Sequence, residues 1–516
     1  MVKGIVAIIF LTVLLGCQGK SKVSPKEERP PNIVYVLADD FGYGDIGILN
    51  PEGKIPTPHI DRLAKEGIIF GDAHTSSSVC TPTRYGILTG RYNWRSPLKQ
   101  GVLTGTSKAL IPKGRTTVAS LLKRDGYHTA FVGKWHLGWD WTLKKDSLGS
   151  GWNAQDFGNI DFTKAITNGP ETLGFDYSYG HAGSLDMAPY VYVENGMPTA
   201  VPDTVTVDKG KYTWWREGPT APDFVHDQVT PHFFDKAMAH IRERAESDDP
   251  FFLYLALPSP HTPILPTEEW LGKSGLNPYA DFVMQVDAHM GALMKTLEET
   301  GISGNTLVIF TSDNGCSPQA DYAVLGEQGH DPSYIYRGHK ADIFEGGHRV
   351  PFIVRWPDMI KSGQHSDVAV CTTDFMATCA DIADIEMVDG EGEDSFSMLP
   401  LFTNEGEFGR KAVVHHSING SFAIRKGPWK LVFCPDSGGW SDPKPNSKGV
   451  KKQFPYQLYN LSSDPEETNN LCAQHPDRVA ELRQLMVSIY ENGRSTKGKS
   501  LQNDNPMNGK PWNQVD

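Results

Sequence analysis

NIVYVL, residues 32–37, followed by Ala38-Asp39-Asp40, is the stretch on which the fold turns. After Asn32 it is apolar without interruption and of strand length, the pattern of a strand covered on both faces. Runs at 129–132, 251–257 (FFLYLAL), 307–310 and 352–354 read the same way. Amphipathic helical patterns at 116–124, 233–245 and 282–299 separate them. Strands alternating with helices predict an α/β fold, a mostly parallel sheet sandwiched by helices. Ligands in such folds gather at the carboxyl ends of the strands. The polar clusters fall there: Asp39-Asp40 after the first run, Lys134 to His136 after the second, His261 after FFLYLAL, and Asp313-Asn314 after LVIF. Beyond about residue 400 the pattern changes to short strands at 412–416, 423–425, 429–433 and 457–459, then a helix at 476–491. This predicts a main domain over 32–400, a smaller α+β domain over 401–494 and a polar tail over 495–516.

The ends and the composition bound the setting. One lysine, Lys3, precedes an apolar run at 5–15, too short to span a bilayer and flanked as a secretory signal is. Leu14-Leu15-Gly16-Cys17 matches the bacterial lipobox, so residues 1–16 are expected to be removed and Cys17 to carry lipid. A plain signal peptide cut at a small residue is the alternative. Residues 18–31 are charged, contain Ser and Pro, and make a flexible tether after Cys17. Gln18 in place of an aspartate points to the outer membrane of a bacterial envelope. The formal charge of -13 argues against a nucleic-acid partner, which needs a basic face. An anionic substrate stays possible, because a pocket can be positive on an acidic body. Five cysteines have no role in this reading, Cys316, Cys371, Cys379, Cys434 and Cys472, and an odd number cannot all pair.

Ser78-Val79-Cys80-Thr81-Pro82-Thr83-Arg84, running on to Leu88-Thr89-Gly90-Arg91, carries C-x-P-x-R with T-G at a fixed distance. On its own it also suits a buried cysteine beside a loop proline. The motif resembles the signature of type I sulfatases, of the alkaline-phosphatase-like fold, in which that cysteine is oxidised to formylglycine. The resemblance runs from Asn32 to about Arg494. It includes Gly133-Lys134-Trp135-His136-Leu137-Gly138, the P-H-x-P setting of His261, Lys340 ahead of Phe344-Glu345-Gly346-Gly347-His348-Arg349, and the late Lys426-Gly427-Pro428-Trp429-Lys430-Leu431. It implies sulfate-ester hydrolysis and a formylglycine-generating maturation enzyme as partner.

Asp39, Asp40, Asp313 and Asn314 offer three carboxylates and an amide oxygen, a hard cage that suits one Ca²⁺ (or Mg²⁺), with residue 80 beside it. Arg84, one turn along a helix expected to begin near Pro82, reaches back over the helix N-terminus. The resemblance gives Arg84 the role of holding the aldehyde hydrate, Lys134 of binding sulfate and His136 of taking the hydrate's second proton. Lys340 and His261 are candidates for protonating the leaving sugar oxygen, and Asp313 for accepting the proton of the attacking hydroxyl. Some relatives carry a Ser-His pair where this chain reads Ser184-Leu185, so only Ser184 carries over.

Arg337, His339 and His348 lie close to Lys340 and are candidates for contacting the sugar. Loops 139–152, 190–216 and 440–452 are rich in aromatic and basic residues, which stack on sugars and receive anionic groups. The expected substrate is a sulfated polysaccharide or its oligosaccharides, an algal polymer such as ulvan or carrageenan ahead of a glycosaminoglycan. Two other readings remain open: a phosphodiesterase or phosphonate monoester hydrolase of the same superfamily, and a non-catalytic glycan-binding surface protein.

Overall fold

The computed structural model describes Met1 and residues 29–145, 155–447, 450 and 455–504. The signal segment, Cys17 and most of the tether lie outside the described residues, as do parts of loops 139–152 and 440–452 and the end of the tail. No described helix is long and apolar enough to cross a membrane.

The run beginning at Asn32 forms the strand Asn32–Asp39 at the middle of a ten-stranded sheet. It pairs in parallel with Phe251–Pro260 on one side and Thr306–Ser312 on the other. His128–Lys134 and then Tyr177–His181 continue the parallel order beyond Phe251–Pro260. Phe352–Arg355 joins Thr306–Ser312 in antiparallel sense. Because alternate residues of a strand face opposite sides, Val34, Val36 and Ala38 enter one core and Ile33, Tyr35 and Leu37 the other. Helices Pro58–Lys65, Val229–Ala245 and Pro278–Glu299 cover the first face, and Cys80–Thr89, Val118–Leu122 and Phe375–Ile382 the second. The α/β expectation holds.

Boundaries moved where local chemistry overrode pattern. Helix Pro278–Glu299 starts a turn earlier than its apolar face, because the Asn277 side chain caps it at Ala280 N (3.0 Å) and Pro278 suits the first turn. The helix expected near Pro82 begins at Cys80, since proline is tolerated anywhere in the first turn. A hairpin, Thr204–Asp208 with Trp215–Thr220, stands in what reads from sequence as a loop.

The C-terminal region forms a four-stranded antiparallel sheet in the order Val413–His416, Phe422–Lys426, Trp429–Val432, Gln457–Asn460. Helix Pro476–Glu491 packs Leu482 and Met486 against Ile424 and Leu431. The six described cysteines are all free thiols.

Candidate active site

The strands end at one edge, and the polar residues after them converge there. Asp39 closes its strand, and Asp40 turns the chain with φ 62°. Lys134 closes His128–Lys134, His261 follows Phe251–Pro260, and Asp313-Asn314 follow Thr306–Ser312. Cys80 sits at the first position of helix Cys80–Thr89, with Val79 as N-cap. Arg84, one turn on, donates to Asp313 Oδ2 through Nε (3.0 Å) and Nη2 (2.8 Å), and to Lys134 O through Nη1 (2.9 Å). Lys134 Nζ pairs with Asp39 Oδ2, and Lys340 Nζ lies 2.7 Å from Asp40 Oδ1. Asn314 Nδ2 donates to Asp40 Oδ1 (2.6 Å), and His261 Nε2 stands 3.8 Å from Asp40 Oδ2. All of these side chains are buried.

The cluster balances three carboxylates against Arg84, Lys134 and Lys340. Burial raises the Asp39 carboxyl, but Lys134, His261, Arg84 and Lys340 outweigh it and hold the group well below the usual range. Asp313 goes the other way, pushed up to about 7 by burial and by Asp39. Burial pushes the Cys80 thiol up to about 11, so at neutral pH it is a protonated and therefore weak nucleophile. His136 is held well below its ordinary value by burial and by Lys134. Its Nε2 donates to Leu103 O (2.8 Å), which leaves a lone pair on Nδ1, a buried atom with no protein partner. Leu103 N in turn donates to Thr81 Oγ1 (3.2 Å), beside Cys80. Burial, then Lys340, lowers His261; its Nδ1 donates to Thr262 O (2.5 Å), so the neutral ring carries a lone pair on Nε2, which is not hydrogen-bonded to Asp40.

A divalent cation fits this donor set. Asp39 Oδ1 and Asn314 Oδ1 are buried without a hydrogen-bond partner, and the oxygens of Asp39 and Asp313 converge with Cys80 Sγ. Orphaned buried oxygens in a hard-ligand cage are what an oxygen-coordinated ion satisfies.

The remaining candidates divide. Ser184 is buried, and its Oγ has no partner. His339 is partly exposed, with Nδ1 donating to Lys340 O (3.0 Å). His348 is a correction. It is fully buried between His74 and Lys430, its ring stacked 3.7 Å from that of His415, so it presents nothing to a sugar. Arg337 is half-buried; it lies over the Phe344 ring (3.9 Å) and donates to Glu467 O (2.8 Å), in the segment after the C-terminal sheet. In the loops, Trp139 and Trp141 are core residues packed edge to face, whereas Trp214 and Trp440 are exposed. Arg216 lies 4.7 Å over Trp214 and pairs with Asp186.

Sequence reading missed His181, at the end of Tyr177–His181 and in register with Lys134. It is buried, its Nε2 lacks a partner, and burial and then Lys134 lower it to about 3. The signal was present, since Tyr177-Ser178-Tyr179 alternates as a strand does. It also missed Asp45, which accepts from Gly42 N (2.8 Å) and Tyr279 Oη (2.5 Å) behind Asp40.

An alkaline-phosphatase-like sheet with an anion-oriented site at its carboxyl edge defines a class of ester hydrolases, and the chain belongs to the sulfatase family. The Sulfatase family model matches residues 31–385. The chain is 33% identical over 520 residues to an N-acetylgalactosamine-6-O-sulfatase of Bacteroides thetaiotaomicron, covering 93% of this chain and 97% of that protein. Human arylsulfatase A is 30% identical, over 89% of this chain and 87% of its own length. A solved structure from work on glycosaminoglycan metabolism by Bacteroides thetaiotaomicron superposes with a TM-score of 0.75 at 32% identity, covering 89% of this chain and 99% of that one. Another, solved with a neocarrahexaose, gives a TM-score of 0.67 at 23% identity over 92% and 95%, a likeness of fold alone. The protein is thus a sulfuric ester hydrolase.

Proposed function

We propose that this sulfatase removes the 6-O-sulfate of an N-acetylgalactosamine residue in a sulfated glycan, with residue 80 as its nucleophile after conversion to formylglycine. The observation that carries the chemistry is the burial of Cys80 among Asp39, Asp313, Lys134 and Arg84 at the sheet edge. The sugar is supported by the relative named for that activity, which aligns over 93% of this chain. On that support we take a glycosaminoglycan-type substrate ahead of the algal polymers favoured on sequence alone.

Formylglycine would supply a hydrate oxygen as nucleophile, and a cation held by Asp39, Asp40, Asp313 and Asn314, for which Ca²⁺ is the fitting ion, would supply positive charge to the sulfate. The chain's own groups do the rest. Arg84 is fixed by Asp313 and Lys134 O and holds the residue-80 side chain in place. Lys134 and Lys340 present ammonium groups where sulfate oxygens bind. Asp313 would accept the proton of the attacking hydroxyl, and His136, neutral with a partnerless Nδ1, would take the second. Lys340 stays charged because Asp40 and its neighbours outweigh burial, so it is the donor facing the leaving oxygen, and His261 Nε2 is an acceptor beside it. Ser184, with its partnerless buried Oγ, and the partly exposed His339 would contribute polar contacts to the substrate.

Maturation by a formylglycine-generating enzyme and anchoring of Cys17 in a bacterial outer membrane belong to the same proposal. They rest on the C-x-P-x-R motif and on Leu14-Leu15-Gly16-Cys17. The test of the activity is sulfate release from a panel of sulfated sugars, with phosphate mono- and diesters alongside. Release confined to sulfate esters, and fastest for 6-sulfated N-acetylgalactosamine, is the expected result.

A further inference from the structure

A second buried charged cluster lies under the segment that leads into Cys80, outside the site described above. Asp72, His74, Glu345, His348, Arg349, His415, Arg425, Lys430 and Glu467 meet there, every one of them less than a tenth exposed. Ligand atoms of His74, Glu345, His348 and His415 converge as those of a metal site do. The place of a cation is taken, however, by Lys430 from strand Trp429–Val432 of the C-terminal sheet. Its Nζ lies 3.0 Å from Glu345 Oε1, 3.0 Å from His348 Nε2 and 2.8 Å from Glu467 Oε1. Lys430, Arg349 and Arg425 already balance Asp72, Glu345 and Glu467, so a divalent ion would add uncompensated charge in a dry interior.

We propose that Lys430 is a positioning residue for the nucleophile, acting through the histidines between it and the Cys80 segment. An ammonium can only donate, so His348 Nε2 accepts and its Nδ1 carries the hydrogen. The 3.2 Å approach of Ile343 O to that Nε2 is then not a hydrogen bond. His348 Nδ1–H donates to His74 Nδ1 (3.1 Å), and His74 Nε2–H donates to Asp72 Oδ1 (2.7 Å); the 2.9 Å approach of Arg425 Nη1 to that Nε2 is then not a hydrogen bond, and Arg425 and Arg349 pair with Asp72 instead. Lys430 at one end and Asp72 at the other thus fix both tautomers and both ring orientations.

His348 through its main-chain carbonyl, and His415 through its ring, in turn hold the backbone before Cys80. Thr75 N donates to His348 O (2.8 Å), and His415, stacked on His348, reaches Thr75 O with Nδ1 (3.3 Å). Thr75 Oγ1 and Thr83 Oγ1 donate to Ser77 O (2.6 and 2.9 Å). Ser78 N donates to His416 O (3.0 Å) on the C-terminal sheet, and Ser78 O accepts from Ala341 N (2.8 Å), next to Lys340. The C-terminal sheet is therefore a buttress for the position and angle of residue 80.

The inference rests on residue 80 as nucleophile, so the experiment carries Cys80→Ala in parallel. Lys430→Met alone leaves an unbalanced buried carboxylate and can fail to fold; Lys430→Met/Glu467→Gln restores the balance. With the formylglycine content of each protein measured by mass, the double variant is expected to keep KM and lose about 10- to 100-fold in kcat, the order an ångström-scale misplacement costs. Its kcat should also gain an acid-side pH dependence that wild type lacks, because without the Lys430 charge the His348 ring takes up a proton at a higher pH than in wild type. A double variant that folds, is converted at residue 80 and turns over like wild type with an unchanged pH profile overturns the proposal. An active Cys80→Ala protein instead removes the nucleophile reading, and the positioning role with it.

Discussion

Cys80 separates a cysteine kept for packing from one kept for chemistry. Buried with its thiol pushed up to about 11, it is mostly protonated at neutral pH, which suits a residue that acts after conversion better than one that acts as a thiolate. Cys80→Ala is expected to abolish sulfate release while leaving the melting temperature close to wild type, because the small side chain contributes little to the core. Calorimetry and a sulfate assay on the same preparation check both halves. Arg337 gives a contrasting case. Its guanidinium serves the Phe344 ring and Glu467 O, so Arg337→Ala should cost stability, about 1–3 kcal/mol for a lost charged hydrogen bond, with KM unmoved. His339→Ala should do the reverse, raising KM without lowering the melting temperature. Denaturant titration and initial rates on the two variants distinguish these roles.

At the scale of elements, the parallel strands set the site by where they stop. Gly133, with φ 126°, lies so close to its neighbour that an added Cβ would stand 1.9 Å from Ala256 O. Gly133→Ala should therefore break the pairing between His128–Lys134 and Phe251–Pro260 and displace Lys134. Loss of soluble protein, or a melting temperature lowered well beyond that of Arg337→Ala, is the expected outcome. This edge was readable in the sequence because Asp39-Asp40, Lys134, His261 and Asp313-Asn314 each follow an apolar run, so pattern and chemistry agree. For His181 the alternation of Tyr177 to Tyr179 signals the strand, but nothing in so short and aromatic a run marks the histidine at its end as part of the site. His348 was misread for a different reason: proximity to Lys340 in sequence suggested the pocket, but the turn Glu345–His348 directs the ring into the cluster around Lys430. Lys430 itself sits in a short strand whose burial only the packing of two sheets reveals.

The whole molecule should be acid-sensitive. His74, His181, His240, His348, His415 and His416 are all buried and lie below the ordinary histidine value, with burial the first cause in each. Below about pH 6.5 the unfolded chain takes up protons on these groups while the folded chain does not, so stability is present above that pH and is lost as pH falls. Raised carboxyls such as Glu467, at about 7, and Asp287, at about 6, act in the opposite sense over part of the same range, but the histidines outnumber them. A melting temperature lower at pH 5 than at pH 7 is expected in scanning calorimetry. Chelation should also lower both activity and melting temperature, because Asp39, Asp40 and Asp313 would again repel one another, and added Ca²⁺ should restore both. The most direct test of the account is the inorganic sulfate released from 6-O-sulfated N-acetylgalactosamine by protein whose residue 80 has been converted, read against Cys80→Ala. The account predicts one sulfate per sugar from the converted protein and none from the variant; equal release from both, or release by the converted protein from phosphate esters alone, would contradict it.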